Sequence, residues 1–167
     1  MIVTIEIPYS YSNTLVNQFG KLVNIVDYFR DCVLCRYIVT KVYLEASKVA
    51  KIVNKEFEAK GKFKEYLDKY NQIIDKYAQK DSNGKPIIKN NKIVLTNDEE
   101  ANKELQELNK QYKAVIEKRQ KEVNKLHETF AKKTFEVTLP KVPVEQLTNI
   151  VPEVFTFLVK YDLVIIE

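Results

Sequence analysis

Two stretches of this chain alternate apolar and polar residues, and they stand far apart in it: IVTIEI (Ile2 to Ile7) and TFEVTL (Thr134 to Leu139). Alternation with many β-branched residues marks a half-buried strand. Nearly everything between them repeats with the period of a helix, so each strand has the other as its natural partner. Two helical legs between the strands would carry the chain out and return it to its start.

The outward leg is read from its apolar stripes. Leu15, Val16, Phe19, Leu22, Val23 and Val26 make one, and Val39, Val42, Ala46, Val49, Ile52 and Val53 a second. Phe63, Tyr66, Leu67, Tyr70, Ile73, Ile74 and Tyr77 make a third, at spacings of three and four. A single helix from Asn13 to Gln79 would be roughly 100 Å long, too long for a compact domain. A break is expected near Arg30 to Leu34, with a kink at Gly61, where a glycine costs a helix about 1 kcal/mol. Ser10, Ser12 and Asn13 offer N-caps for this leg. The return leg opens on Thr96-Asn97-Asp98-Glu99, a capping-box sequence, and runs through Leu105, Leu108, Tyr112, Val115, Ile116, Val123, Leu126 and Phe130. Glu99/Lys103, Glu117/Lys121 and Glu128/Lys132 are set for ion pairs four residues apart. Pro143 and Pro152 suit the first turns of short helices, and the apolar ending DLVIIE is expected to pack back onto the domain or onto another chain.

Between the legs, Asp81 to Thr96 reads DSNGKPIIKNNKIVLT. Asp81, Ser82, Asn83 and Gly84 stop the helix. Ile87-Ile88 and Ile93-Val94-Leu95 then flank Asn90-Asn91, a pair that tolerates the positive φ of a type I′ turn. The expected architecture is α+β, mainly α: a long antiparallel helical hairpin with a β-hairpin at its tip and a small antiparallel β base formed by the N- and C-terminal segments. A single domain over 1–167 is expected, with 1–12 and 134–167 in the base with short helices, 13–80 and 97–133 in the helical arm, and 81–96 in the tip. Three glycines and five prolines in 167 residues favour helices over a turn-rich sandwich.

Composition narrows the function. The net charge is +4, and 24 of the 27 basic residues are lysines, scattered among 23 acids. Arginine is the usual reader of guanine and phosphate, so sequence-specific nucleic-acid recognition is disfavoured and only weak, salt-sensitive attraction to a polyanion is left. No basic start followed by an apolar run precedes IVTIEI, so no signal peptide is expected. No apolar run approaches the roughly 18 residues of a membrane span, and no membrane partner is expected. Two cysteines make no disulfide scaffold, and a reducing cytoplasm is the default expectation.

Cys32-Val33-Leu34-Cys35 invites redox or metal chemistry. No βαβ pattern surrounds it, no second cysteine pair exists, and the single histidine, His127, is far along the chain. The two cysteines are therefore read as small buried hydrophobes on a helix face shared with Tyr28, Val39 and Val42. His127 reads as a helix-surface residue. There is no P-loop, no GxSxG and no HExxH, and the helix dipole accounts for Asp98-Glu99-Glu100. No catalytic residue, metal ligand or cofactor is nominated, and a non-enzyme is expected. The binding candidates are Tyr9 and Tyr11, outside the main helices, and Ile87, Ile88, Asn90, Asn91 and Ile93 of the tip. Tyr66, Tyr70 and Tyr77 fit the apolar stripe as core-edge residues with hydroxyls outward.

DKYAQKDSNGKPIIKNNKIVLTNDEEANKELQEL (Asp75 to Leu108) resembles a pattern of small uncharacterised bacteriophage proteins. In these, a helix closes on tyrosine-alanine, an asparagine-glycine turn and an isoleucine-rich ribbon follow, and a second helix begins on acids. FEVTLPKVPVEQL (Phe135 to Leu147) is similar to their strand-proline-short-helix ending. The resemblance covers about half the chain, whereas Met1 to Arg36 departs from it. It implies a small virus-encoded protein of the host cytoplasm or the virion, and it carries no catalytic activity with it. The expected function is a non-enzymatic, phage-encoded protein-binding module that inhibits a host defence or other host factor, such as a CRISPR effector. The alternatives are a homo-oligomeric virion structural or assembly protein, a weak lysine-mediated nucleic-acid binder, and a thiol enzyme.

Overall fold

The structure, a computed structural model, describes residues 1–166, without the side chains of Val26 and Tyr28. The expectations placed on those two side chains therefore lie outside the described residues. The chain is α+β and mainly helical. The chain comprises two compact units, one of Met1–Phe57 with Lys125–Glu167 and one of Glu58–Asn124.

The first unit is organised by the expected strand pair. Strand β1 (Ile2–Pro8) runs antiparallel to β4 (Thr134–Pro140), from Ile2 opposite Pro140 to Pro8 opposite Thr134. At either end of the pair, Tyr9 N–H donates to the Lys133 carbonyl (2.8 Å) and Lys141 N–H to the Met1 carbonyl (2.9 Å). Odd-numbered residues of both strands thus face each other through hydrogen bonds, and even-numbered ones turn their main-chain groups outward. Pro8 and Pro140, which lack an N–H, both occupy even positions, so the ladder loses nothing. Ile5, Ile7, Val137 and Leu139 point into the core, and Ile2, Thr4, Glu6, Glu136 and Thr138 point to solvent.

Helix α1 (Ser12–Leu22) and helix α2 (Val33–Phe57) lie antiparallel, as the contacts Asn13–Asn54 and Gly20–Tyr43 require. A Cβ on Gly20 would sit 3.1 Å from the Tyr43 ring, which explains a glycine within a helix at this crossing. Leu15, Phe19, Ile38, Val39, Val42 and Ala46 meet the strand side chains in one core. Helix α6 (Pro152–Lys160) closes it with Val154, Phe157 and Leu158, and the Phe157 ring stands edge-on to Phe19 at 5.2 Å. Pro152 takes the first position of α6, as expected, and Pro143 caps a 3-10 turn at Val144–Gln146. The apolar ending folds back: Leu163 is fully buried, and strand β6 (Val164–Ile165) pairs in parallel with β5 (Val142–Pro143).

Several local expectations are corrected. The first helix ends at Leu22, and a 3-10 turn at Val26–Phe29 precedes α2, so the break is wider and earlier than Arg30 to Leu34. Gly61, at φ 54°, opens a new helix rather than kinking one, after Lys60 has left helical conformation. Helix α1 has no side-chain cap, because the Ser12 hydroxyl donates to the Tyr9 carbonyl at 2.7 Å. Ile52 is 52 % exposed and not part of the α2 core face.

The second unit contains α3 (Gly61–Tyr77), strands β2 (Ile88–Lys89) and β3 (Lys92–Ile93), α4 (Asp98–Gln111) and the start of α5 (Lys113–Lys132). The capping box is shifted by one residue. Asn97 caps α4 by accepting from Glu100 N–H (3.2 Å), while the Thr96 hydroxyl turns back to the Tyr77 carbonyl. The return leg is two helices, interrupted at the buried Tyr112 without a glycine or proline. Tyr66–Asn109 and Lys76–Glu104 contacts make α3 and α4 antiparallel. Of the α3 stripe only Tyr77 is buried, the others being half-covered.

Truncation of Phe19 to Ala removes the ring at the meeting point of α1, α2 and α6. The expected loss is about 3–5 kcal/mol, read as a lower denaturant midpoint by circular dichroism.

Candidate functional site

The tip predicted at Asp81 to Thr96 is a ribbon tied to both flanking helices. Asn90 and Asn91 have φ of 51° and 60°, as a type I′ turn needs. Ile88 stands opposite Ile93, and Lys89 opposite Lys92. A two-stranded ribbon alone is marginal in water. Here Gln79 wedges beside it and closes a ring of three main-chain hydrogen bonds: Gln79 N–H to the Val94 carbonyl (2.8 Å), Val94 N–H to Ile87 (2.9 Å), and Ile87 N–H to Gln79 (2.8 Å). Thr96 N–H donates to the Tyr77 carbonyl at 2.8 Å. The Asp81 carboxylate accepts from the N–H groups of Asn83 and Lys85 (2.8 and 2.9 Å), folding the Asn-Gly turn over itself.

This scaffold uses main-chain atoms and leaves the ribbon side chains free. One face presents the cross-strand pair Ile88 (65 % exposed) and Ile93 (38 % exposed). The other carries Lys89 and Lys92, with Ile87 half-buried beneath. The apolar pair and the two lysines are thus displayed on opposite faces of the ribbon.

A polar brace holds the base of the ribbon. Lys76 Nζ and the Tyr77 hydroxyl both donate to Glu104 Oε1, at 2.6 and 2.9 Å. Lys76, then Tyr77, hold the Glu104 carboxyl below the usual carboxylate range, and the bond to Glu104 raises Lys76. Further along α3, Tyr66 donates to Asn109 Oδ1 (2.9 Å) and Lys69 to the Tyr112 hydroxyl (2.9 Å). Burial, with Tyr70 alongside, pushes the Tyr66 hydroxyl up. An open groove of 510 Å³ lies here, lined by Tyr66, Asn109, Lys110, Lys113, Ile116 and Glu117.

The remaining candidates fall in the first unit. Tyr9 is half-buried, stacked on Phe130 and edge-on to Phe135, both at 6.1 Å. Tyr11 is half-buried too, with Lys160 Nζ 4.2 Å above its ring. Cys32 and Cys35 are buried as expected, at 1 % and 0 % exposure, but they are joined as a disulfide rather than packed as free thiols, with Cα atoms 5.3 Å apart. The Cys35 N–H points at Cys32 Sγ (3.1 Å) in the first turn of α2. His127 is exposed and leans on the Phe57 ring at 4.9 Å. Of the expected ion pairs, Glu99–Lys103 forms (3.2 Å), whereas Glu117 lies near Lys113 instead of Lys121. Among the described residues no cluster of three or more acids, histidines and cysteines is placed to hold a metal, and no helix is long and apolar enough to cross a membrane.

Sequence reasoning found the turn and the exposed isoleucines but missed Gln79, whose role is played by its main chain and leaves no compositional trace. Asp81 two residues before Asn83-Gly84 was readable as an Asx-turn organiser. No protein-family model matches this chain, and no curated protein and no solved structure matches it significantly.

Two outcomes follow from this geometry. A folded-state carboxyl held low contributes stability that is present at neutral pH and lost as pH falls through its folded value. Protection of the Thr96 amide should therefore weaken in acid, and Glu104→Gln should flatten that dependence in hydrogen exchange. The buried disulfide should resist a water-soluble phosphine while the protein is folded and be reduced rapidly in denaturant, as followed by thiol alkylation and mass spectrometry.

Proposed function

We propose that this chain is a non-enzymatic protein-binding module that recognises a host protein through the Ile88/Ile93 face of the ribbon and inhibits it. The observation that carries the reading is an apolar cross-strand pair held exposed on a backbone fixed by the Gln79 ring. Preorganised, exposed aliphatic anchors lower the ordering cost of association, which is where affinity is otherwise lost. The resemblance of Asp75–Leu108 and Phe135–Leu147 to bacteriophage proteins supports a phage origin and a host factor, such as a defence effector, as target. Action in the host cytoplasm belongs to the same proposal, and the buried Cys32–Cys35 pair is compatible with it because a reductant meets no exposed sulfur.

The test is affinity capture from host lysate by the intact chain and by a variant carrying Ile88→Asp and Ile93→Asp. Both side chains lie outside the main-chain ring, so the variant should keep its melting curve. The expected result is a stoichiometric host protein retained by the wild type and lost by the variant. Equal retention, or no specific protein with either, overturns the reading.

A further inference from the structure

Of the two outer edges of the small sheet in the first unit, that of β4 is partly taken up. On the far side of β4, the Thr138 carbonyl accepts from Lys41 Nζ at 2.7 Å, and Val142 N–H donates to the Leu163 carbonyl at 2.7 Å as β6 docks. Both groups are on even-numbered residues, in keeping with the alternation that turns even positions away from β1. On the β1 side the same alternation turns out the N–H and C=O groups of Ile2, Thr4 and Glu6. Among the described residues no main-chain or side-chain group pairs with them. All three side chains are exposed, with Ile2 at 72 %.

An edge strand of seven residues with nothing across it is a template for another strand. We infer that the outer edge of β1 pairs antiparallel with the same edge of a second copy of this chain, about a two-fold axis at Thr4. In that register Ile2 faces Glu6 of the other copy, Thr4 faces Thr4, and every outward group of the three residues is satisfied. Registers that draw in Pro8 lose a donor, because proline has none. The charge pattern chooses among the rest. Glu6 already stands opposite Glu136 within the sheet, so a second glutamate across the new edge would add like-charge repulsion. The Thr4-centred register sets an aliphatic Ile2 there instead. Odd residues then align with odd residues, which joins the two apolar faces: Val3 meets Ile5, and Met1, 83 % exposed, is laid beside Ile7.

Sedimentation velocity of the full chain from micromolar to near-millimolar concentration tests this. The 19.6 kDa monomer should give way to a dimer as concentration rises. In step, the amides of Ile2, Thr4 and Glu6 should gain protection from exchange, while those of Val3, Ile5 and Ile7 are protected throughout. Thr4→Pro removes an N–H that faces away from β4, so circular dichroism should be unchanged and the dimer lost. A monomer with freely exchanging even-numbered amides at every concentration overturns the inference. So does a dimer undiminished in Thr4→Pro, or even-numbered amides protected only when a different protein is added. If Thr4→Pro fails to fold, the concentration dependence of the wild-type amides decides alone.

Discussion

The pairing of β1 with β4 is the constraint on which the first unit depends. Thr4 and Thr138, whose hydroxyls meet at 3.0 Å, are 134 residues apart. Closure entropy grows only with the logarithm of loop length, so this separation costs about 0.6 kcal/mol more than one half as long. Burying each valine, leucine or isoleucine contributes about 1.5–3 kcal/mol. Ile5, Ile7, Val137 and Leu139 therefore outweigh the extra closure term by about tenfold or more. The cost of such a long-range pairing falls on the rate of folding instead. Helices α1 and α2, neighbours in sequence, offer the apolar surface on which the strands can be captured.

That pairing was legible because alternation is a strong signal and the sequence holds only two long stretches of it. The outward turn of Pro8 and Pro140 follows from register, and a reader given the pairing could have placed both. Helix ends were less legible. Capping residues compete locally: Ser12, Thr96 and Asn97 all had suitable side chains, and only Asn97 caps, since the other two hydroxyls found main-chain carbonyls nearby. The interruption at Tyr112 carries no breaker residue; it accompanies a ring buried against α3 and tied to Lys69. Such breaks come from tertiary contacts that no local window contains.

The cysteines show the same limit. Their burial was predictable from type and spacing, but their covalent pairing depends on the turn before α2, where Cys32 N–H bonds the Phe29 carbonyl at 3.2 Å. The candidate site divides likewise. Exposed isoleucines around an Asn-Asn turn were visible in the letters Ile87 to Ile93, whereas the partial covering of the α3 stripe was not, because Ile73 and Tyr70 read like any core residues.

The ring of three hydrogen bonds around Gln79 has a consequence for how this protein can change. None of the atoms that shape the ribbon belongs to the side chains of Ile88, Lys89, Lys92 or Ile93. Selection can rewrite those four letters without asking the backbone to refold, much as loops vary on an immunoglobulin frame. Architecture and exposed surface are thereby uncoupled at the ribbon, and that surface can be altered one substitution at a time.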